Sequence, residues 1–463
     1  MEVSHYDAII LGSGQAGNPL AIALAARNKR TAMIERAAVG GTCINYGCTP
    51  TKTMVASAEV AYMARRAPEY GVRVGDVSVD MSLVRERKRS MVQAWRERRE
   101  KSLKQAGLVD LIYGQGSFVA PKQLRVRLND GGERILTADL VVIDTGLSSS
   151  GPHLEGLASV PYLDNVSVME LDELPKHLLV LGGGYVGLEF AQMFQRFGSR
   201  VTVIQRGGQL LTMEDPDIVD EITKILREDG IEILLEAKTE SAASSDRGVR
   251  LTVKVKEVSR NLEGTHLLVA TGRRPNTEKL NLEAAGVATN DRGYIQVNDK
   301  LETATPGIYA VGDVKGGPAF THVSYDDYRV LKANLLESGN RSIAGRLVPY
   351  CVFIDPQLGR IGLSEREAKD QGKKVEVARL PMNVVARAVE TGKTRGFMKA
   401  LVDPQTEEIL GAAILGEDGG ELMSMIQLAM MGKLKYTALE NAILAHPTLS
   451  ESLNNLFGGL HRD

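Results

Sequence analysis

Two stretches of this 463-residue chain repeat one pattern in register. "YDAIILGSGQAG" is a short apolar run that enters Gly12, Gly14 and Gly17, and "HLLVLGGGYVG" enters Gly182, Gly184 and Gly187 in the same way. Each predicts a strand, a glycine turn and a helix. The first glycine permits the tight turn, the second lets the backbone approach a pyrophosphate, and the third lets the helix pack on the strand. The phosphate then meets the free N–H groups and positive dipole end of the helix. Pro19 falls in the first turn of its helix, where it is tolerated. A lone G-x-G-x-x-G is weak evidence in a chain that is about a tenth glycine. The flanking strand and helix, found twice, make it specific.

The two units differ at one informative place. The strand "RTAMIER" puts Glu35 23 residues after Gly12, and "RVTVIQR" puts Gln205 23 residues after Gly182. A carboxylate at that position accepts hydrogen bonds from a free ribose 2′-hydroxyl, as in the adenosine half of FAD or NAD. Gln205 followed by Arg206 removes the negative charge and offers a guanidinium, which suits the 2′-phosphate of NADPH. The first unit therefore reads as an FAD site and the second as an NADPH site, with NADH left open. The plain alternative for residues 205–206 is a solvated strand end.

Between and after these units the α/β character persists. "LVVIDTG" and "HLLVATGRRPN" are apolar strands ending in Thr145-Gly146 and Thr271-Gly272, and mark where the chain leaves one nucleotide fold and re-enters another. "TPGIYAVGDV" gives a turn, a strand and then Gly312-Asp313. Beyond Arg346 alternating strands and two terminal helical stretches predict a separate α+β domain. The expected division is 1–148 and 271–345 for the first fold, 149–270 for the second and 346–463 for the third. A net charge of −2 provides no field for nucleic acid or anionic lipid, and no apolar run is long enough to span a membrane. The N-terminus lacks a secretory pattern, so a reducing cytoplasm is the expected compartment.

Two of the three cysteines, Cys43 and Cys48, sit in "GGTCINYGCTPTK". A metal hook, a structural disulfide and a redox pair are the candidate readings. The spacing suits a zinc hook poorly, and Cys351 and the seven scattered histidines supply no matching ligand pair. A disulfide closing so small a loop removes little chain entropy. A redox pair fits best, and no metal ligand set is expected.

In chain order, the first fingerprint, "GGTCINYGC", the second fingerprint, "ATGRRPN", "GIYAVGDV" and "HPTLSE" resemble the flavoprotein disulfide reductases over essentially the whole chain. That family includes dihydrolipoamide dehydrogenase, glutathione reductase and mercuric reductase. "GQAGNPLA", "NYGCTPTKT", "FTHVSYDDYRV" and "PYCVFIDPQLGRIGLSE" are most similar to the mercuric-reductase-like branch, which includes bacterial flavoproteins that respond to reactive chlorine and reduce copper. The resemblance implies two Rossmann-like domains, for FAD and NAD(P), plus a C-terminal α+β dimerisation domain. It implies electron flow from NADPH through FAD and the Cys43–Cys48 disulfide to a disulfide or a soft metal ion, Hg(II) or Cu(II). Cys48 would face the flavin and Cys43 the substrate. His446, oriented by Glu451, would serve as the base for the other subunit of a homodimer. Lys52 and Glu189 would form an ion pair near the flavin. Thr42, Gly116, Thr145, Gly146 and Asp313 would contact FAD, and Gly272 would belong to the nucleotide site.

The match departs in places. Asp144 stands where the family usually has a small residue, and reads either as a solvated acid or as a change to the hinge. Ile22 and Ala23 replace the arginine that holds glutathione, and "GGLHRD" carries no terminal redox pair of the thioredoxin-reductase or mercuric-reductase kind. Cys351 reads as a buried structural thiol, "ELMSMIQLAMM" as packing methionines, and Arg85–Gln105 as a solvated basic helix. Two alternative functions stand beside the leading one. They are a dihydrolipoamide dehydrogenase component of a multienzyme complex, and a thiol-independent transhydrogenase or quinone reductase.

Overall fold

The computed structural model describes residues 3–461; Met1 and Glu2 of the first expected segment and Arg462 and Asp463 of the last lie outside the described residues. The first fold comprises β1 (Val3–Leu11), α1 (Gly17–Ala25), β2 (Thr31–Glu35), α2 (Gly41–Asn45), α3 (Cys48–Arg66), α4 (Met81–Gln105), β3 (Val109–Ala120), β4 (Gln123–Leu128) and β5 (Glu133–Ile143). Ile9 pairs with Ala32 of β2 on one side and Val141 of β5 on the other, both parallel. The strand Ile308–Ala310 extends the sheet parallel to β5, while β4 runs antiparallel between β3 and β5. Ala8–Leu11 and all of β2 are buried, as befits parallel strands covered on both faces.

The chain then passes through β6 (Leu147–Ser149) into the second fold. There β7 (His177–Leu181), α5 (Tyr185–Phe197) and β8 (Arg200–Ile204) repeat the first unit, joined by Glu232–Leu234 and His266–Val269 in a parallel four-stranded sheet. β6 pairs antiparallel with Arg273–Pro275, so the segments after the two Thr-Gly steps lie side by side. The repeat holds at atomic detail. Gly12 and Gly182 have φ of +96° and +115°, and a Cβ on them would lie 2.3 Å from the Asp144 carbonyl oxygen and 2.5 Å from that of Ala270. Only glycine accepts both constraints.

Residues beyond 346 form an antiparallel five-stranded sheet in the order Tyr350–Val352, Gln357–Gly362, Ile409–Gly416, Phe397–Val402, Glu376–Pro381. The methionine-rich helix Gly419–Met431 packs on it through Leu422, Met423, Ile426 and Ala429, so its methionines pack as expected, with Met431 left exposed. One apolar core binds the parts together: Met54 of α3, Phe190 and Phe194 of α5, Val203 of β8, and Val352 and Leu415 of the C-terminal sheet. Lys399 is buried between Asp215, Asp217 and Glu365 at 2.8, 2.9 and 2.8 Å, its ammonium filling the place where those three acids converge. The basic helix α4 is capped by Asp80, whose carboxylate accepts the N–H groups of Ser82 and Leu83, and most of its length is exposed. Among the described residues no helix is long and apolar enough to cross a membrane.

Candidate active site

The β1–α1 loop, α2, the first turns of α3 and α5, and the start of the helix Thr321–Leu336 enclose a cavity of about 980 Å³. Gly41 lets it form. With φ of +63°, it brings α2 against the fingerprint loop so closely that a Cβ would lie 2.8 Å from the Gly14 Cα. Cys43 sits on α2, and Cys48 is the first residue of α3. Both are free thiols lining the cavity.

The two sulfurs divide their protons unequally. The Cys43 thiol hydrogen-bonds the Cys48 sulfur, and this bond, more than any other influence, pulls Cys48 down to about 5. The Thr321 hydroxyl, 3.4 Å from Cys48 Sγ, and the Lys52 ammonium add to it and together outweigh burial. The N-terminal end of α3 favours negative charge in the same sense. Cys43 is pushed up by the same hydrogen bond and by burial, and keeps its proton. Lys52 lies one turn along α3 on the same face. Its Nζ is 2.6 Å from Glu189 Oε2, while Glu189 Oε1 accepts the Phe353 N–H at 2.9 Å. Glu189 is buried and Lys52 only half so, which keeps the positive end at the cavity wall.

The other end of the cavity is the first fingerprint. Glu35 accepts the Ser13 N–H at 3.1 Å and hydroxyl at 2.6 Å through one oxygen, and the Ala37 N–H at 2.8 Å through the other. Gly12, Gly14, Thr42, Gly116, Thr145, Gly146 and Asp313 line the same space; Gly17 lies behind the loop. The Thr145 hydroxyl is buried with no hydrogen-bond partner among the described residues, a polar atom of the kind that a bound polar group satisfies. A cavity of this volume, with a glycine-lined loop, an acid at the ribose position and an unmet hydroxyl, fits an extended dinucleotide such as FAD.

In the second fold Gln205 takes the place of Glu35. Its Oε1 accepts the Gly183 N–H at 3.0 Å, and its Nε2 donates to the Gln209 carbonyl at 3.1 Å. Arg206 is exposed and has no ion pair among the described residues. The surface at Gly184 and Gly272 is open, with no atom within 4 Å of where a Cβ would stand. Gly182 and Gly187 sit beneath that loop, and the whole group lies beside the cavity rather than in it; Tyr185 and Glu189 of α5 reach in.

His446 is not among the cavity-lining residues of its own chain. It is exposed, with Nδ1 2.8 Å from Glu451 Oε2, which leaves Nε2 facing outward. Two sequence expectations need correction. Cys351 is only half-buried and lines the same cavity as the other cysteines, although burial pushes its thiol up to about 12. Asp144 is not solvated: at the crossover between β5 and β6 it is buried beneath the first fingerprint, accepting the Gly17 N–H at 2.8 Å. Sequence reasoning also missed Thr321, His322 and Tyr350. They line the cavity with Phe320, whose ring stacks on those of His322 and Tyr350 at 5.4 and 5.5 Å. Their stretches, "FTHVSYDDYRV" and "PYCVFID", carried the signal only as resemblance.

Two nucleotide folds, a cysteine pair between them and a C-terminal α+β domain define a class. Residues 6–327 match the family model for pyridine nucleotide-disulphide oxidoreductases and residues 348–457 match that family's dimerisation domain, so the chain belongs to this family of flavoprotein disulfide reductases. It is 39% identical over 459 residues to the probable pyridine nucleotide-disulfide oxidoreductase RclA of Escherichia coli K12, covering 98% of this chain and 99% of that protein. It is 35% identical over 448 residues to a mercuric reductase of Staphylococcus aureus, covering 97% of this chain and 81% of the relative. The solved Cu(II) complex of the HOCl-induced flavoprotein disulfide reductase RclA from Escherichia coli superposes with a TM-score of 0.90 at 38% identity, over 98% of this chain and 99% of that one.

Proposed function

We propose that this chain is a homodimeric, NADPH-dependent FAD enzyme that passes electrons through Cys43 and Cys48 to a disulfide or a soft metal ion, Hg(II) or Cu(II). The observation that carries this reading is that two free thiols, Cys43 and Cys48, line one cavity with Lys52, Thr321 and the first glycine fingerprint. FAD bound there would relay the two electrons of a nicotinamide hydride to a disulfide.

Gly12, Gly14, Gly17, Glu35, Thr42, Gly116, Thr145, Gly146 and Asp313 would hold the flavin nucleotide. Gly182, Gly184, Gly187, Gln205, Arg206 and Gly272 would hold NADPH. Lys52 keeps a positive charge at the cavity wall, where it favours the Cys48 thiolate; Glu189 fixes its position. In the reduced enzyme Cys43 gives its proton to the imidazole of His446 from the neighbouring protomer and attacks one sulfur of the substrate disulfide. The substrate S–S bond breaks, a mixed disulfide forms, and the imidazolium protonates the leaving thiolate. Cys48 then attacks the Cys43 sulfur, releasing the second thiolate and closing the Cys43–Cys48 disulfide. Two cysteine sulfurs side by side are equally suited to a soft ion, which would take the place of the Cys43 proton. The Cu(II) complex of the RclA relative and the mercuric reductases support that second acceptor class. The division at 148, 270 and 345 belongs to the same reading; the second parallel sheet ends at Val269 and the C-terminal sheet begins at Tyr350, while β6 runs across the first boundary.

The test is anaerobic titration of the purified protein with NADPH. Two electrons are expected to produce long-wavelength absorbance from the Cys48 thiolate against the flavin. That absorbance should persist as the pH is lowered to about 5 and fade below it, because the ionised thiol is lost as pH drops through its pKa. Simple bleaching of the flavin would favour the thiol-independent alternative. The nucleotide assignment has its own check. Arg206→Glu is expected to cut the ratio of kcat/KM for NADPH over NADH by about 10–100-fold, the worth of one charged hydrogen bond to phosphate. An unchanged ratio would remove Arg206 from the site.

A further inference from the structure

The two nucleotide folds differ in the residue that abuts the first glycine of each loop. Where Ala270 abuts Gly182 in the second fold, Asp144 abuts Gly12 in the first. The Asp144 carboxyl turns under the loop. Its Oδ2 accepts the Gly17 N–H at 2.8 Å and lies 2.7 Å from where a Gly14 Cβ would stand, and its Oδ1 lies 3.0 Å from the corresponding point of Gly312. Oδ1 has no hydrogen-bond partner among the described residues, and the side chain lines the cavity although the residue is only 7% exposed.

The surroundings disfavour a charge here. Glu35 on β2, Asp313 after the strand Ile308–Ala310, and Asp327 on the helix Thr321–Leu336 all face Asp144 with the same sign. The nearby cations Lys315 and Arg346 are committed to Asp327, at 3.2 and 2.8 Å, and among the described residues no cation contacts Asp144. Burial and these three acids push its carboxyl well above the usual carboxylate range. A diphosphate bound over the loop would add further negative charge. Asp144 also takes up the Gly17 N–H, one of the donors the helix N-terminus would otherwise aim at phosphate.

We infer that Asp144 binds the flavin nucleotide as a neutral acid, accepting the Gly17 N–H with Oδ2 and donating its own proton from Oδ1 to a phosphate oxygen, which makes FAD binding proton-dependent. This rests on the first fold being the FAD site. The sign follows from linkage: the form with the proton binds, so affinity is full below the carboxyl's pKa and is lost as pH rises through it. Asparagine mimics the neutral acid, with Oδ1 accepting from Gly17 and Nδ2 donating, and does not titrate.

The experiment is FAD titration of the flavin-stripped full chain, followed by quenching of flavin fluorescence from neutral to alkaline pH, for wild type and Asp144→Asn. The wild-type Kd is expected to rise by about tenfold per pH unit on its alkaline limb, while Asp144→Asn stays flat and binds more tightly at high pH. Equal pH dependence in both proteins, or a flat wild type, overturns the inference. So does weaker binding by Asp144→Asn at every pH, which would mean that the carboxylate itself is needed. The wild-type holoenzyme supplies an independent reading: an infrared carbonyl band of a protonated carboxyl should be present and should vanish in Asp144→Asn, and its absence from wild type overturns the inference without reliance on the variant's folding. A chain that takes up no FAD at any pH overturns the cofactor reading itself, a result distinct from a flat titration.

Discussion

Replacing Cys43 by serine is expected to lower disulfide reduction by about three orders of magnitude or more while leaving FAD bound. In the proposed reaction Cys43 is the sulfur that attacks the substrate and Cys48 the one that closes the disulfide behind it. Without it Cys48 has no partner with which to close a disulfide. The variant should therefore be purified with Cys48 already a thiolate, and should show the long-wavelength absorbance before any NADPH is added. Serine and alanine separate two effects. The serine hydroxyl can still donate to the Cys48 sulfur, so the lowered pKa of Cys48, about 5 in the native pair, should survive. Alanine removes the donor that contributes most to that lowering, and the absorbance of Cys43→Ala should titrate at higher pH. Steady-state assays with a small disulfide, Hg(II) and Cu(II), beside pH titration of both variants, check this. Reduction of every acceptor at the wild-type rate would make the cysteines bystanders.

Local geometry made the nucleotide folds legible from sequence. In a strand–turn–helix–strand unit the chain returns to the sheet at a fixed distance, so Glu35 and Gln205 had to fall in equivalent places. The structure has each accepting the backbone N–H of the middle loop residue, Ser13 and Gly183. The glycines were legible for the same reason: Gly12 and Gly182 each abut the strand that ends in Thr-Gly. Contacts between distant segments were not. Thr321 reaches Cys48 from a helix 273 residues away, and no periodicity near either residue announces it. Cys351 was misjudged because its short strand is an edge strand of the C-terminal sheet. Val352 points into the core, while Tyr350 and Cys351 turn toward the cavity. Asp144 resisted because its role depends on what lies beneath a loop that sequence draws only in outline. The acceptor is the least legible of all, since the cavity walls that would select it come from at least four separate stretches of the chain.

His446 provides the sharpest test of shared sites. It lies in the segment matched by the dimerisation domain, outside the cavity of its own chain, with Nδ1 held by Glu451 at 2.8 Å and no partner on Nε2 among the described residues. Ile443, three residues earlier, is a fully exposed apolar side chain, which suits a surface that a second protomer covers. His446→Gln is expected to lower turnover by about 10²–10⁴-fold, the usual worth of a positioned acid–base group, while FAD binding is unchanged. The decisive experiment mixes two inactive proteins by co-expression, His446→Gln and Cys43→Ser. A mixed dimer has one site with both mutations and one site with neither, if the base crosses between protomers. Random pairing makes half the dimers mixed, so activity should return to about a quarter of wild type. Were the base to act within its own chain, every site would carry one mutation and no activity would return.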